Sequence, residues 1–474
     1  MIRITTIALY ALVTCFHSPA HSQDALVEFV DGQIASADQV NGNFTYIHSL
    51  VKEFQNQSEF VEIDCSANEG ALKAAMEAGH SRITVMGGRC EAGTATSTAF
   101  DDSGDIARMG MYEIRGAGDT KPVLFADGAS GRFLGGSGAQ LILDNLIIES
   151  GVGIYAGGFA ILRNIDVDCK RLSNETPTGD NVLTIGVYAS SSSVIINNST
   201  MSSCSLPIYS IRHSGVQITK SIIEQGAGSS VPSIVIEQSS AFLNDSDVNA
   251  NFEVVDGLTI AMSVVDGGLY TSGSTIDGSI NAENSRVRFT ESEFILDEGT
   301  FFGIQLIDSD FTVKTSSMGG GLINALVGSV VRAEDMIELG GLNLAHRGFG
   351  YLKNVPLTNV NITGKQGSQL IVANDPSNTH SGMNISGIGQ LEFEGAFKGE
   401  GISINVGPNS SITLTEGIEN PNFFINGGVS LSATAMILVS GTRTEDFNAR
   451  MTAEVSCITQ PMKDIGSGFL CPPP

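Results

Sequence analysis

The feature that most constrains this chain is a short repeat that recurs through its central part. Ten segments share the form apolar-x-apolar-x-polar-x-apolar, in which the central polar residue is Asn, Ser or Asp, as in "LILDNLIIES". Successive central residues are about 23 positions apart on average. Repeats of this length are typical of solenoids, in which each turn packs on its neighbours. The ten central residues are Asn145, Asn164, Ser199, Ser221, Ser246, Ser274, Ser292, Ser309, Asp335 and Asn354.

Each repeat has the pattern of two short strands joined by a sharp turn. Asn, Asp, Ser and Gly are the residues that best tolerate the backbone conformations of such a turn. The flanking apolar residues alternate with polar ones, so every second side chain points into the coil. Short strands in place of helices exclude the helical solenoids. The repeat therefore predicts an all-β solenoid of stacked strands.

A helix signal precedes the repeats in "DCSANEGALKAAMEAGHSRITVMGGRCEAG". Ser66 and Glu69 form a capping-box pattern, Ala71–Ala78 favours a helix, Gly79 is a typical residue to end it, and "RITVMGG" alternates like a strand. This segment resembles the entry to right-handed parallel β-helix proteins, the pectate-lyase-like superfamily, where a helix covers the open end of the coil. The resemblance implies a right-handed parallel β-helix, predicted over residues 61–425, with an N-terminal capping helix.

The two ends of the chain have other patterns. Residues 1–22 combine Arg3, an apolar run too short to span a membrane, and small residues at the end, which is typical of a secretory signal peptide. No later segment has the pattern of a transmembrane span. Residues 426–474 contain the last two cysteines and are predicted to form a C-terminal cap with a disulfide.

Residues 23–60 are predicted to form a helical leader segment. Its apolar residues follow 4-3-4-3 spacing, the pattern of a coiled coil, over only two heptads. The stretch "DGQIASADQVNGNF" resembles leader segments of bacterial surface proteins and phage tail fibres. The helix therefore either packs on its own domain or makes a homotrimer, so the chain is predicted to be a monomer or a homotrimer. The spaced residues are Val40, Phe44, Ile47, Val51 and Phe54.

Six cysteines remain after removal of the signal segment, and an even number in an exported chain indicates disulfides. Six cysteines allow 15 connectivities, among which their clustering along the chain favours pairs of neighbours. Alignment of the repeats gives one check, because placing Asn164 opposite Ser199 also places Cys169 opposite Cys204. The predicted pairs are Cys65–Cys90, Cys169–Cys204 and Cys457–Cys471.

Charge and composition exclude some partners. The net charge is −26 and no Lys/Arg-rich run is present, which argues against a nucleic-acid partner. The chain has no Trp, which weakens the case for sugar stacking on broad aromatic surfaces, although 8 Tyr and 23 Phe remain.

One group of candidate site residues surrounds the segment 170–181, a predicted outward loop. The repeat alignment stacks Glu149 beside Asp168 and places Asp166 on the same strand face. The resemblance implies that such acidic residues hold Ca²⁺ and that a base such as Lys170 or Arg171 removes a proton. No catalytic motif of the polygalacturonases or pectate lyases is present, so the alternative is a solvated acidic face.

A second group consists of acidic pairs beside the repeat centres. Glu291 with Glu293 and Asp308 with Asp310 lie in repeats predicted to be adjacent. Stacked like charges repel, and a Ca²⁺ ion with oxygen ligands would relieve that repulsion. The alternative is an acidic face that keeps the protein soluble. The predicted metal ligands are Glu149, Asp168, Glu291, Glu293, Asp308 and Asp310, with Ca²⁺ as the cofactor.

These observations together predict a secreted bacterial protein, extracellular or periplasmic. The predicted function is a binding or surface-interaction scaffold, with a polysaccharide or cell-surface glycan as partner. Two alternatives stay open: a polysaccharide lyase or glycoside hydrolase with a site beside residues 170–181, and a trimeric tailspike-like or adhesin-like fibre.

Overall fold

The structure, a computed structural model, describes most of the central part of the chain. The described residues are 59–94, 111–127, 133–134, 138, 140–149, 151–169, 184–226, 231–249, 260–295, 303–365, 367–373, 379–394, 398–400, 402–405, 411–414, 423–424 and 436–439. The predicted signal segment, the helix at 40–54, the loop candidates Lys170 and Arg171, and Cys457 and Cys471 lie outside them. No helix among the described residues is long and apolar enough to cross a membrane.

Short strands make up nearly all of the described structure, together with one helix, α1 (Ala71–Glu77). In chain order the strands are β1 (Val61–Cys65), β2 (Arg82–Thr94), β3 (Met111–Gly116), β4 (Val123–Asp127), β5 (Phe133–Leu134), β6 (Gln140–Ile148), β7 (Gly151–Tyr155), β8 (Phe159–Asp168), β9 (Ile185–Ser190), β10 (Ser193–Asn197), β11 (Thr200–Cys204), β12 (Leu206–Ile211), β13 (Gly215–Thr219), β14 (Ile222–Gln225), β15 (Ile234–Glu237), β16 (Ser240–Asn244), β17 (Asp247–Asn249), β18 (Ile260–Val265), β19 (Gly268–Ser272), β20 (Thr275–Asp277), β21 (Ser279–Glu283), β22 (Arg286–Thr290), β23 (Glu293–Ile295), β24 (Ile304–Ile307), β25 (Asp310–Lys314), β26 (Ser317–Leu326), β27 (Val330–Glu334), β28 (Glu338–Leu344), β29 (Phe349–Lys353), β30 (Asn361–Gly364), β31 (Gln369–Ala373), β32 (Thr379–Ser381), β33 (Asn384–Ser386), β34 (Gln390–Glu394), β35 (Lys398–Glu400), β36 (Ile402–Asn405), β37 (Ser411–Leu414), β38 (Phe423–Phe424) and β39 (Met436–Val439).

The strands stack into three parallel ladders, which confirms the predicted all-β parallel β-helix. The first sheet contains β10, β13, β16, β19, β22, β25, β27, β29, β31 and β34 in its central part, each paired with the strand one turn earlier and one turn later. The second sheet contains β11, β14, β17, β20 and β23. The third sheet contains β9, β12, β15, β18, β21 and β24, and continues through the second half of β26 and β28. One turn of the coil thus contributes one strand to each sheet.

The core of the coil comes from the alternation that the repeats predicted. In β22, for example, Val287 and Phe289 point inward and are buried, whereas Arg286 and Arg288 on either side are exposed. Buried side chains of successive turns form one continuous cluster from Cys65 to near the end of β34. Each turn therefore depends on its neighbours to bury its apolar side chains, as in other solenoids.

The helix α1 lies beside β1 and β2 and buries Leu72 and Ala75. The predicted capping box is wrong, because Gly70 is the N-cap and no side chain caps the helix. Instead, the backbone N–H of Gly70 donates to Asn68 Oδ1 at 3.1 Å. The predicted stop at Gly79 is confirmed, since this residue has φ 88°, which only glycine adopts without strain.

The corner between the first and second sheets differs from the prediction in one respect. Asn145 and Asn164 are themselves left-handed, with φ of 55° and 52°. Where the repeat contains a serine, the left-handed residue is the one before it, such as Lys220 before Ser221. The serine is buried because it has a second role, which is hydrogen bonding between turns.

We call the row of buried serines at this corner, between the first and second sheets, the first serine ladder. From Ser199 to Ser292, the backbone N–H donates to the serine Oγ of the next turn, at 3.1–3.4 Å. In every member, the Oγ donates to the carbonyl two residues earlier. Ser309 is not a member, so its assignment to this corner is wrong. Serine recurs at two corners, and Ser309 belongs to the other. The members are Ser199, Ser221, Ser246, Ser274, Ser292 and Ser316.

Two of the predicted disulfides are present, Cys65–Cys90 with a Cα–Cα distance of 5.3 Å and Cys169–Cys204 with 4.8 Å. The second pairing is correct although the alignment that suggested it was one residue out. The pairing of β8 with β10 and β11 aligns Asn164 with Asn198 rather than with Ser199. An irregularity in β11 at Ser203, which has φ 61°, inserts one residue and brings Cys204 back to Cys169.

Candidate functional site

The carboxylates predicted around residues 170–181 are engaged in ion pairs between turns. The side chain of Glu149 accepts hydrogen bonds from Arg89 at 2.8 and 3.1 Å. Asp166 accepts one from Lys121 Nζ at 2.8 Å. The ladder register places Glu149 next to Asp168, as predicted, because the preceding residues of β6 and β8 pair. In this part of the coil, Glu149 and Asp166 therefore balance cations that lie two turns earlier.

The second group of predicted ligands is divided between two corners. Glu291 is the left-handed residue between the first and second sheets, and Glu293 begins β23. Asp308 is the left-handed residue between the third and first sheets, and Asp310 begins β25. The prediction that these pairs stack in one column is wrong, for the same reason that Ser309 was misplaced. Among the described residues, no group of three or more His, Cys, Asp or Glu side chains is placed to hold a metal ion.

A shallow groove with a volume of about 740 Å³ runs along the corner between the third and first sheets. Its lining includes Ser240, Gly268 and Tyr270, and the Tyr270 ring packs so closely on Gly268 that a Cβ there would lie 2.8 Å from it. Asp266 lines the same groove and accepts a hydrogen bond from Asn284 Nδ2 at 2.6 Å. The groove brings polar and charged groups together along several turns.

The outer face of the third sheet carries a feature that the sequence reasoning missed, a row of amide side chains. We call it the amide column. Its members occupy the same register position on four successive turns, and Ser263 and Thr363 continue the row at its two ends. Each lies in a strand whose neighbouring residues point inward and are buried. The members are Asn281, Gln305, Asn324 and Asn343.

Part of the amide column is internally hydrogen-bonded and part is not. Asn343 Nδ2 donates to Asn324 Oδ1 at 2.7 Å, and Thr363 Oγ1 donates to Asn343 Oδ1 at 3.0 Å. Asn281 Oδ1 is shielded from solvent and has no hydrogen-bond partner among the described residues. A buried acceptor without a partner is costly, and the same shielding keeps this oxygen from contact with solvent.

Two tyrosines occupy the same register position at the N-terminal end of this row. The rings of Tyr188 and Tyr209 meet edge to face with centroids 5.5 Å apart. Burial raises the pKa of both hydroxyls above the usual value, and for Tyr209 the nearby carboxylate of Glu237 adds to the effect. Both hydroxyls therefore stay protonated at neutral pH.

The motif apolar-Asn-apolar is the sequence signal that would have revealed this row. It occurs as Ile280–Ala282, Ile323–Ala325 and Leu342–Leu344. In a coil of known register, the polar residue between two inward apolar residues must face outward.

No family model matches the sequence, and neither the curated proteins nor the solved structures contain a match. The fold therefore defines the class of the protein, a parallel β-helix with two disulfides between neighbouring turns. The resemblance to the pectate-lyase-like superfamily stays a prediction.

Proposed function

We propose that this protein is an extracellular binding scaffold for carbohydrate and that the amide column is its glycan-binding surface. The observation that carries the proposal is the placement of four amide side chains at one register position on successive turns. Turns of a β-helix are spaced about 4.8 Å apart, so the column offers hydrogen-bonding groups at regular intervals along the axis.

The chemistry of the amide column suits a hydroxyl-rich ligand. A carboxamide both donates and accepts hydrogen bonds, and so does a sugar hydroxyl. The column has no charged member, and near its end the partly exposed Tyr209, packed on the buried Tyr188, supplies aromatic surface with a neutral hydroxyl group. These properties favour a neutral glycan lying along the axis of the coil.

Three further observations support the proposal: one favours binding over catalysis, and two favour an oxidising compartment. Glu149 and Asp166, predicted near a catalytic loop, already neutralise Arg89 and Lys121. Two disulfides indicate folding outside the reducing cytosol. The signal-peptide pattern of residues 1–22 is consistent with export.

The test is binding of the full mature chain to a panel of neutral oligosaccharides, measured by isothermal titration calorimetry. The variant Asn281→Ala with Gln305→Ala should weaken binding about tenfold or more, since each lost hydrogen bond contributes about 0.5–1.5 kcal/mol. The matched control is Gln217→Ala with Gln369→Ala, which removes two exposed amides from the first sheet.

Three results would count against the proposal: no glycan in the panel binds, the Asn281/Gln305 variant binds as the unmodified chain does, or the control variant loses affinity equally. Release of new reducing ends or of unsaturated products from a polysaccharide would instead support the lyase or hydrolase alternative.

A further inference from the structure

The outer face of the first sheet carries a cluster of cations that the function proposed above does not use. We call it the basic face. It lies on β22, β25, β27 and β29, and all of its members point outward and are exposed. Side-chain exposure is 53% for Lys314 and 47% for Arg332. The members are Arg286, Arg288, Lys314, Arg332 and Lys353.

The basic face departs from the charge balance of the whole chain. The chain has 51 acidic and 25 basic residues, so acids outnumber bases about two to one. At the outward positions of these four strands the proportion is reversed, with the five cations facing two acids, Asp310 and Glu334. On the next strand but one, β34, the outward residues Glu392 and Glu394 are acidic again. The positive charge is thus confined to one stretch of the coil.

The two acids do not neutralise the basic face. Asp310 Oδ1 is 4.0 Å from Arg332 Nη1, and Glu334 Oε2 is 3.9 Å from Lys314 Nζ. Exposed ion pairs at such distances contribute little free energy. Arg286 and Arg288 form no ion pair with any residue that the structure describes. A surplus of exposed guanidinium groups therefore remains available for an outside anion.

Aromatic side chains share the central register position of this face with two of the arginines. Tyr270 is the neighbour of Arg288, and Tyr351 is the neighbour of Arg332. Phe242 stacks on Tyr270 with ring centroids 4.9 Å apart and is 45% exposed. The row of outward side chains therefore combines aromatic rings with guanidinium groups along the axis.

We propose that the basic face binds a linear anionic glycan whose carboxylate or sulfate groups accept hydrogen bonds from Arg288 and Arg332. Guanidinium groups match the geometry of both anions. These two arginines are two turns apart, about 9.6 Å along the axis, whereas a linked pyranose ring is about as long as one turn is high. A charge on every second ring would meet each arginine. The ring between them would lie over Thr312, and the rings on either side would lie against Tyr270 and Tyr351.

The charge of the whole protein favours a glycan over denser polyanions. Double-stranded DNA carries one negative charge per about 1.7 Å of its axis, and an anionic membrane is a continuous negative surface. Both would approach acidic parts of a chain with net charge −26 as well as the basic face. A single glycan chain with widely spaced charges fits the width of one sheet. This site lies on a different sheet from the amide column and does not depend on it.

The test uses the full mature chain and biolayer interferometry against immobilised hyaluronate, which carries carboxylates, and chondroitin sulfate, which also carries sulfates. Dextran, single-stranded DNA and phosphatidylglycerol vesicles are the comparison ligands. The variant Arg288→Gln with Arg332→Gln should weaken binding of the anionic glycan about tenfold and reduce its salt dependence. The control Arg163→Gln with Lys220→Gln removes the same charge from exposed sites outside the basic face.

Binding of hyaluronate or chondroitin sulfate that the Arg288/Arg332 variant loses and the control keeps would support the proposal, and comparison of the two glycans identifies the anion. The proposal is overturned if neither glycan binds, if the control weakens binding equally, or if DNA or vesicles bind as tightly through the same two arginines. The Asn281/Gln305 variant should keep its affinity for the anionic glycan, so failure of one proposed site is distinguishable from failure of the other.

Discussion

The first serine ladder predicts a specific cost for removing a single hydroxyl group from the core. Ser246 is 1% exposed, and its Oγ accepts from the backbone N–H of Ser221 at 3.2 Å and donates to the carbonyl of Asn244 at 2.8 Å. In Ser246→Ala the Asn244 carbonyl keeps a second donor, the backbone N–H of Lys220 at 3.0 Å. Only the Ser221 N–H is left without a partner.

The expected free-energy cost of Ser246→Ala follows from this single unpaired donor. A buried donor left without an acceptor costs about 1–3 kcal/mol. The change from Ser to Ala leaves almost no cavity, so no further packing loss is expected. The Ser246 N–H still donates to Ser274 Oγ, which limits the damage to one junction between turns. We therefore expect Ser246→Ala to destabilise the coil by about 1–3 kcal/mol.

Two measurements test this prediction. The free energy of unfolding is obtained from urea titrations followed by circular dichroism, with Ser272→Ala as the control. Ser272 is exposed and ends β19, where it pairs with Asn244 just before the Ser246 corner, so loss of its hydroxyl should change stability by less than about 0.5 kcal/mol. Because solenoids can unfold in parts, amide hydrogen exchange at Ser221 gives the local effect, with exchange accelerated about tenfold per 1.4 kcal/mol. Equal stability and equal exchange in Ser246→Ala and the unmodified chain would refute the role given to the ladder.

Two further predictions concern alkaline pH and the disulfides. Because the pKa values of Tyr188 and Tyr209 are raised above 10.0 in the folded state, the unfolded chain loses these protons first. The free energy of unfolding should then be constant with respect to these groups below pH 10.0 and fall above it. Urea titrations across that range should show a smaller fall for Tyr188→Phe with Tyr209→Phe, and an unchanged fall would contradict the assignment. Replacing Cys169 and Cys204 by Ser should cost about 4 kcal/mol from loop-closure entropy for a separation of 35 residues; a melting temperature equal to that of the unmodified chain would contradict this.

The general architecture could be predicted from the sequence because it depends on repetition. Alternating apolar residues and a polar corner recur often enough to define stacked strands, even though the turns differ in length. The helix α1 and its end at Gly79 were also accessible, since they depend on local preferences. The disulfide Cys169–Cys204 followed from the spacing of the repeats, although a one-residue insertion at Ser203 had to compensate for an alignment error.

The exact register was less accessible because the same residue type serves two corners. Serine at one corner and serine at the other look alike in the sequence, so Ser309 was placed beside Ser292 and the acidic residues around it were moved to the wrong column. The amide column was missed because a single Asn between apolar residues resembles any other outward position. Its significance appears only when successive turns are placed in register.

The bond between Cys169 and Cys204 has a consequence for how the chain would respond to proteolysis. It joins two neighbouring turns, and in the sequence the segment 170–183 lies between the two bonded cysteines. A protease that cut the chain within this segment would leave two fragments still joined by a covalent bond and by the hydrogen bonds of β8 with β10 and β11. Such a nicked molecule would migrate as one species until a reductant was added. The disulfide thus gives the coil tolerance to a cut, in addition to any stability that it provides to the intact chain.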